Sequence, residues 1–235
     1  MTPAPASTQN RAASAPARQH AVPARARVRG LYAVTPDGDD LPRLLGRVEA
    51  CVAAGVRLLQ YRDKAGDARQ RRRAVDALQA LCDRHDCLLV VNDDWELARD
   101  AGCRAVHLGA DDGDVERVRD ALGPDLLIGV SCYADLARAQ ALAPFADYLA
   151  FGSVFASPTK PNAPGAALAV LGEARAIGLP VVAIGGIGPE NAARAIAAGA
   201  DAVAVISAVF GRVDPGQAAR ELIDCCEAAL AAAGR

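Results

Sequence analysis

From Gly30 onward the chain repeats one unit: a short apolar run, a polar loop, then a stretch with apolar residues at helical spacing. The apolar runs fall at 31–34, 57–61, 88–91, 105–108, 127–131, 147–151, 181–184 and 202–206. Between them the helix signals are regular. Asp40 and Pro42 open a helix with Leu44, Leu45, Val48, Cys51 and Val52 on one face, and Asp67 caps a long charged helix that runs to His85. Further helices are predicted over 95–101, stopping at Gly102, over 115–122 and over 133–142. After a longer loop to about Pro164 another reaches Ile177; the next runs from Pro189, where a missing N–H costs nothing, to Gly199. Asp214-Pro215 caps the last.

Eight strand–helix units without a break in composition predict a single α/β domain over residues 30–235, a (β/α)8 TIM barrel. A doubly wound open sheet is the alternative, because periodicity does not show closure. No GxGxxG turn of the dinucleotide-binding kind is present. Residues 1–29 differ: rich in Ala, Pro and Arg, without an acidic residue or an apolar periodicity, they read as a disordered arm. The arm lacks the apolar core of a signal peptide.

Composition narrows the function. A net charge of −2 with 4% aromatic residues gives no general nucleic-acid surface, and no apolar run reaches a bilayer-spanning length. The odd count of 7 cysteines, with no CxxC among them, fits a reducing cytoplasm and buried thiols better than a disulfide framework. The 3 histidines lie too far apart to make a zinc motif by spacing.

The strand ends carry the chemistry. Gln60-Tyr61-Arg62-Asp63-Lys64 closes the second run, Asn92-Asp93 the third, Ser131 the fifth, Gly185-Gly186 the seventh and Ile206-Ser207 the eighth; Ser157-Pro158-Thr159-Lys160 follows the sixth. In a barrel of this kind the strand C-termini line the active-site mouth, and the last two strands often hold a phosphate. Gly185-Gly186 lets backbone approach an anion, and the helix starting at Pro189 adds N–H groups and a positive dipole end; the alternative is a tight turn and nothing more. Asp93 and Asp112, on adjacent loops, suit magnesium, or are solvated loop acids like Asp94, Asp111 and Asp114. Lys64, Lys160 and Arg62 are cations able to neutralise a leaving pyrophosphate; the alternative for each, taken alone, is a solvated surface charge. His107 reads as a satisfied polar core residue, and Cys132, with no histidine partner, as packing.

At these residues the chain resembles the thiamine phosphate synthase family, over about Leu31 to Leu230. The family's Q-x-R-x-K stands here as Gln60 to Lys64, its N-D as Asn92-Asp93, and its H-x-G-Q-x-D as His107-Leu108-Gly109-Ala110-Asp111-Asp112. G-P-x-F-x-T-x-T-K is matched by the nine residues ending at Lys160, A-I-G-G-I by Ala183-Ile184-Gly185-Gly186-Ile187, and V-I-S by Val205-Ile206-Ser207. Any one is weak; together, in order, they are specific.

The resemblance implies joining a hydroxymethylpyrimidine pyrophosphate to a thiazole ethyl phosphate, carboxylated or not, with release of pyrophosphate and Mg2+ as cofactor. It implies that Gln60, Tyr61, Arg62, Asp63, Lys64, Asn92, Ser131 and Lys160 hold the pyrimidine pyrophosphate, with Lys64, Lys160 and Arg62 carrying the catalysis. Ser157, Pro158, Thr159, Gly186, Ile206 and Ser207 would hold the thiazole phosphate, and Asp93 and Asp112 the magnesium. The expected partners are these small molecules, with no nucleic acid and no membrane; a homo-oligomer is left open. Ala110 replaces the family's glutamine, Ser157 a threonine and Ser153 a proline, and none of these deletes a named contact. The competing readings are a thiazole tautomerase-like isomerase and a non-catalytic phosphate-binding barrel. Neither needs a pyrophosphate clamp with a carboxylate pair.

Overall fold

The computed structural model describes residues 24–156 and 166–235. Ser157, Pro158, Thr159 and Lys160, and the arm up to residue 23, lie outside them. Eight parallel strands close on themselves: β1 (Gly30–Val34), β2 (Leu58–Tyr61), β3 (Leu88–Asn92), β4 (Ala105–Leu108), β5 (Leu127–Tyr133), β6 (Tyr148–Gly152), β7 (Val181–Ile184) and β8 (Ala202–Val205). Closure comes from β8 pairing with β1, with Gly30 opposite Ala202 and Ala33 opposite Val205. That removes the open edges of the alternative sheet.

Around the barrel lie α1 (Leu41–Ala53), α2 (Ala68–Arg84), α3 (Trp95–Asp100), α4 (Val115–Leu122), α5 (Leu136–Leu142), α6 (Ala166–Ala174), α7 (Ala192–Ala197), α8 (Ser207–Phe210) and α9 (Pro215–Ala232). Local chemistry starts many of them. Asp40, Asp67, Asp94, Asp114, Asp135 and Asp214 each cap a helix by accepting from a backbone N–H of its first turn. Among the described residues no helix is long and apolar enough to cross a membrane.

Strand parity builds two cores. Leu31, Ala33, Leu59, Leu89, Val91, Val106, Leu108, Ile128 and Val130 face the helices. Tyr32, Val34, Leu58, Leu88, Val90, Ala105, Leu127 and Tyr148 fill the barrel interior. By the same parity Gln60, Asn92, His107 and Ser131 belong to the interior set, at its upper, C-terminal end.

Several elements differ from the sequence expectation. β5 runs on through Tyr133 because a register shift between Ser131 and Tyr133 makes a bulge, so α5 starts at Leu136 and not at Tyr133. The helix expected from Pro189 begins only at Ala192; Pro189, Glu190 and Asn191 form a turn. Beyond β8 the short α8 was not foreseen. The last residues of the expected arm belong to the barrel: Ala24–Arg27 is a 3-10 turn, and Val28, 2% exposed, plugs the bottom of the interior. All 7 cysteines are free.

Candidate active site

Two adjoining cavities open at the C-terminal end of the barrel, of about 320 and 850 Å3. They share Arg62, Ser131, Tyr133 and Ile206 in their walls, so they form one cleft with two ends. Gln60, Arg62, Lys64, Asn92, Asp93 and Asp112 line the smaller end. Gly186, Ile206 and Ser207 line the larger.

The charged end is organised from β1 and β2. Arg62 N–H donates to Thr35 Oγ1 at 2.9 Å, and that hydroxyl donates to the Arg62 carbonyl at 3.2 Å. The Arg62 guanidinium pairs with Asp37, which also accepts from Lys64 N–H at 3.1 Å. Sequence reasoning missed Asp37 and Thr35, whose loop after β1 gives no motif of its own.

Lys64 Nζ lies 3.4 Å from Asp93 Oδ2. Asp93 sits at φ 66°, a left-handed backbone that turns its side chain toward the Asp112 carboxyl. Partial burial and the neighbouring Asp112 raise the Asp93 pKa, with Lys64 opposing them. Asp112 is held by Gly109 N–H, which donates to its Oδ2 at 2.6 Å. Among the described residues no group of three metal-ligating side chains gathers. A pair of mutually repelling carboxylates beside the cations Arg62 and Lys64 nevertheless fits magnesium, which takes one or two carboxylates and completes its shell with water and ligand oxygens.

Tyr61 and Asp63 stand apart from the cavity. Odd parity on β2 turns Tyr61 into the helix-facing core, where its hydroxyl donates to Asp63 Oδ2 at 3.2 Å. Asp63 Oδ1 accepts from Ala65 and Gly66 N–H at 3.0 and 2.9 Å, so the residue shapes the loop that carries Lys64. Burial works against ionisation, but these donors hold the Asp63 carboxyl below its ordinary range.

A hydrogen-bonded chain crosses the interior beneath the clamp. Gln60 Nε2 donates to Tyr32 Oη at 2.8 Å, and Tyr32 Oη meets Tyr148 Oη at 2.9 Å. Tyr148 Oη lies 3.0 Å from His107 Nδ1, and His107 Nε2 lies 2.9 Å from Ser131 Oγ. His107 is thus a satisfied buried residue, as expected, that also reaches the cavity wall. Burial lowers its pKa to about 4, against a small opposing pull from Asp112. Cys132 is fully buried, and burial pushes its thiol up to about 12, which removes it as a nucleophile.

The larger end differs in detail from expectation. Gly188 N–H is already taken by Asn191 Oδ1 at 2.9 Å, so that donor of the turn before α7 is engaged within the turn. Gly186, at φ 63°, packs against neighbouring backbone: a Cβ there would stand 2.6 Å from the Ala156 carbonyl oxygen. Its lack of a side chain therefore serves loop packing as well as access to the cavity. Tyr133, 51% exposed at φ 56°, stands at the seam of the two ends and was missed because it was expected inside a helix.

The family model described as thiamine monophosphate synthase matches residues 31–209, the span from β1 to α8 that carries every cavity residue above. The chain belongs to that family. A thiamine-phosphate synthase of Chromobacterium violaceum is 54% identical over 198 residues, covering 83% of this chain and 95% of that protein. One of the same name from Thioalkalivibrio sulfidiphilus is 52% identical over 199 residues, covering 83% and 94%. Among solved structures, the thiamine phosphate pyrophosphorylase of Pyrococcus furiosus has a TM-score of 0.77 at 32% identity, covering 88% of this chain and 98% of that one. That of Bacteroides thetaiotaomicron, with a TM-score of 0.62 at 17% identity over 86% of this chain and 98% of its own, shares the fold. Within this thiamine monophosphate synthase domain, Gln60, Arg62, Lys64, Asp93, Asp112, Gly186 and Ser207 sit around one cleft.

Proposed function

We propose that this chain is a thiamine-phosphate synthase, a transferase that joins a hydroxymethylpyrimidine pyrophosphate to a thiazole ethyl phosphate, or its carboxylated form, releasing pyrophosphate and, from the carboxylated form, CO2 as well. The observation that carries this reading is a single cleft lined by the cations Arg62 and Lys64 with a carboxylate pair at one end, and by Gly186, Ile206 and Ser207 at the other. Family membership supports it. A cytoplasmic site of action accords with the 7 free cysteines.

In this reading Arg62, Lys64 and Ser131, with Lys160 from the loop after β6, hold the pyrophosphate, while Gln60 and Asn92 hold the remainder of that substrate. Ser157, Thr159, Gly186, Ile206 and Ser207 receive the thiazole phosphate, which aims the ring nitrogen at the methylene carbon. The CH2–O bond breaks with its electron pair leaving on pyrophosphate oxygen, and the nitrogen lone pair makes the new C–N bond. No proton is lost, so no general base is needed, in keeping with a buried, neutral His107 and an inert Cys132. Asp93 and Asp112 would hold Mg2+, which supplies charge neutralisation at the departing pyrophosphate. Lys64 adds fixed positive charge there, and Asp37 and Asp63 keep its loop in place.

The test is release of inorganic pyrophosphate by the purified protein given both phosphorylated rings, with and without magnesium. Release that needs both rings and the metal is expected. No release, with thiazole phosphate still bound, would replace this reading with an isomerase or a binding barrel. Lys64→Ala and Asp93→Ala are each expected to lower turnover by roughly 10²-fold or more, the usual effect of removing a preorganised charge stabiliser. Near-normal turnover in both would overturn their roles.

A further inference from the structure

The buried chain from Gln60 to Ser131 has a direction. Each phenol has one proton to give, and a neutral imidazole has one donor nitrogen and one acceptor. Gln60 Nε2 donates to Tyr32, which places the Tyr32 proton on the bond to Tyr148. The Tyr148 proton then goes to His107 Nδ1, which must accept. His107 Nε2 is left as the donor to Ser131 Oγ, so the Ser131 proton cannot lie on that bond. The Ser131 carbonyl is engaged separately by Arg138 Nε at 2.9 Å. The serine proton turns instead toward the cavity that Ser131 lines.

We propose that Tyr32, Tyr148 and His107 are positioning residues that fix His107 as its Nε2–H tautomer and so make the Ser131 hydroxyl a donor to bound substrate. The reverse order is chemically complete only if the Gln60 amide turns over to accept from Tyr32. Ser131 would then give its proton to His107 and offer the cavity only lone pairs, which repel an anionic oxygen. The two ends of the chain are therefore opposite in sign. With its nitrogen bound to Tyr32, Gln60 leaves its carbonyl oxygen for a ligand N–H, while Ser131 offers a hydrogen to a ligand acceptor. An aminopyrimidine linked to pyrophosphate carries both kinds of group. Gly129 is part of the device: it lies opposite Tyr148, and a Cβ on it would come within 1.9 Å of the Tyr148 ring. The consequence at Ser131 rests on the pyrophosphate reading above; the tautomer does not.

The experiment is 15N NMR of the histidine rings in the full chain at neutral pH, with His20→Gln and His85→Gln for assignment. His107 is expected to show a protonated Nε2 and a bare Nδ1. In Tyr148→Phe the two tautomers should mix, and inorganic pyrophosphate with magnesium should bind about twofold more weakly by calorimetry if the two become equally populated, while Ser131→Ala, which deletes the hydrogen bond, should weaken it about tenfold. Tyr32→Phe breaks the chain one link further away and serves if Tyr148→Phe does not fold. A protonated Nδ1 in the parent, or a tautomer unmoved by both phenylalanine variants, overturns the proposal. A tautomer that shifts while pyrophosphate binding stays unchanged in Tyr148→Phe and in Ser131→Ala keeps the chain's direction. That outcome removes Ser131 from the pyrophosphate site instead.

Discussion

Asp37 and Asp63 do not line the charged end of the cleft, yet they decide where its cations stand. Asp37 ties the Arg62 guanidinium and the Lys64 backbone to the loop after β1. Asp37→Ala is expected to raise KM for the pyrophosphate substrate about three- to tenfold while kcat changes less, the loss of a modest hydrogen-bond contribution. Steady-state kinetics on the variant checks this, and an unchanged KM would mean the cations hold their places without it. Asp63 allows a pH prediction. Its folded-state pKa lies below the unfolded value, so its stabilisation is present above the ordinary carboxylate range and is lost as pH falls through the depressed folded value. The Ala65 and Gly66 amide shifts are expected to titrate together, below that ordinary range. At this scale the sequence was legible in which charged residues meet at one cleft, Arg62, Lys64, Asp93 and Asp112. It was not legible where strand parity decides: Tyr61 lies in the middle of the motif and faces away from the cleft.

The elements that position the site were read well where periodicity is uninterrupted and poorly where one residue breaks it. β4, α4 and β7 stand where the apolar pattern puts them. β5 does not end at Ser131, because a bulge inserts Tyr133, and no hydrophobic pattern distinguishes a bulged strand from the first turn of a helix. The four residues of α8 are too few for any period. The bulge leaves Tyr133 left-handed and its ring exposed above the cleft, a conformation that costs a bulky residue on the order of 1 kcal/mol. Tyr133→Gly is therefore expected to melt no lower than the parent, whereas Tyr133→Ala keeps the strain and loses the ring. Melting curves that rank glycine at or above alanine would bear out the strained backbone; the opposite ranking would count against it.

At the scale of the whole molecule the barrel separates stability from chemistry along its axis. Parallel strands bring the candidate site residues among the described ones to the C-terminal end, while the N-terminal end is closed by residues with no part in the cleft. There Val28 plugs the interior, Arg27 pairs with Asp86 at 2.7 Å, and Arg235 at the end of the chain donates to Asp201 and to the carbonyl of Ala200. The barrel itself was predicted from eight repeated units, but the plug and these pairs were not visible in the sequence, because the plug sits in a stretch whose composition matches a loose arm. Val28→Ala tests the separation. Losing two buried methyl groups should cost about 1.5 kcal/mol at roughly 0.8 kcal/mol per carbon, which for a domain of this size lowers Tm by about 3–6 °C. With the cleft at the far end of the strands, KM for both rings and kcat at a temperature well below the melt should stay at parent values. A change in KM without a change in Tm would mean that the bottom of the barrel communicates with the site. The two ends would then act as one cooperative unit, and not as a scaffold carrying a separable set of loops.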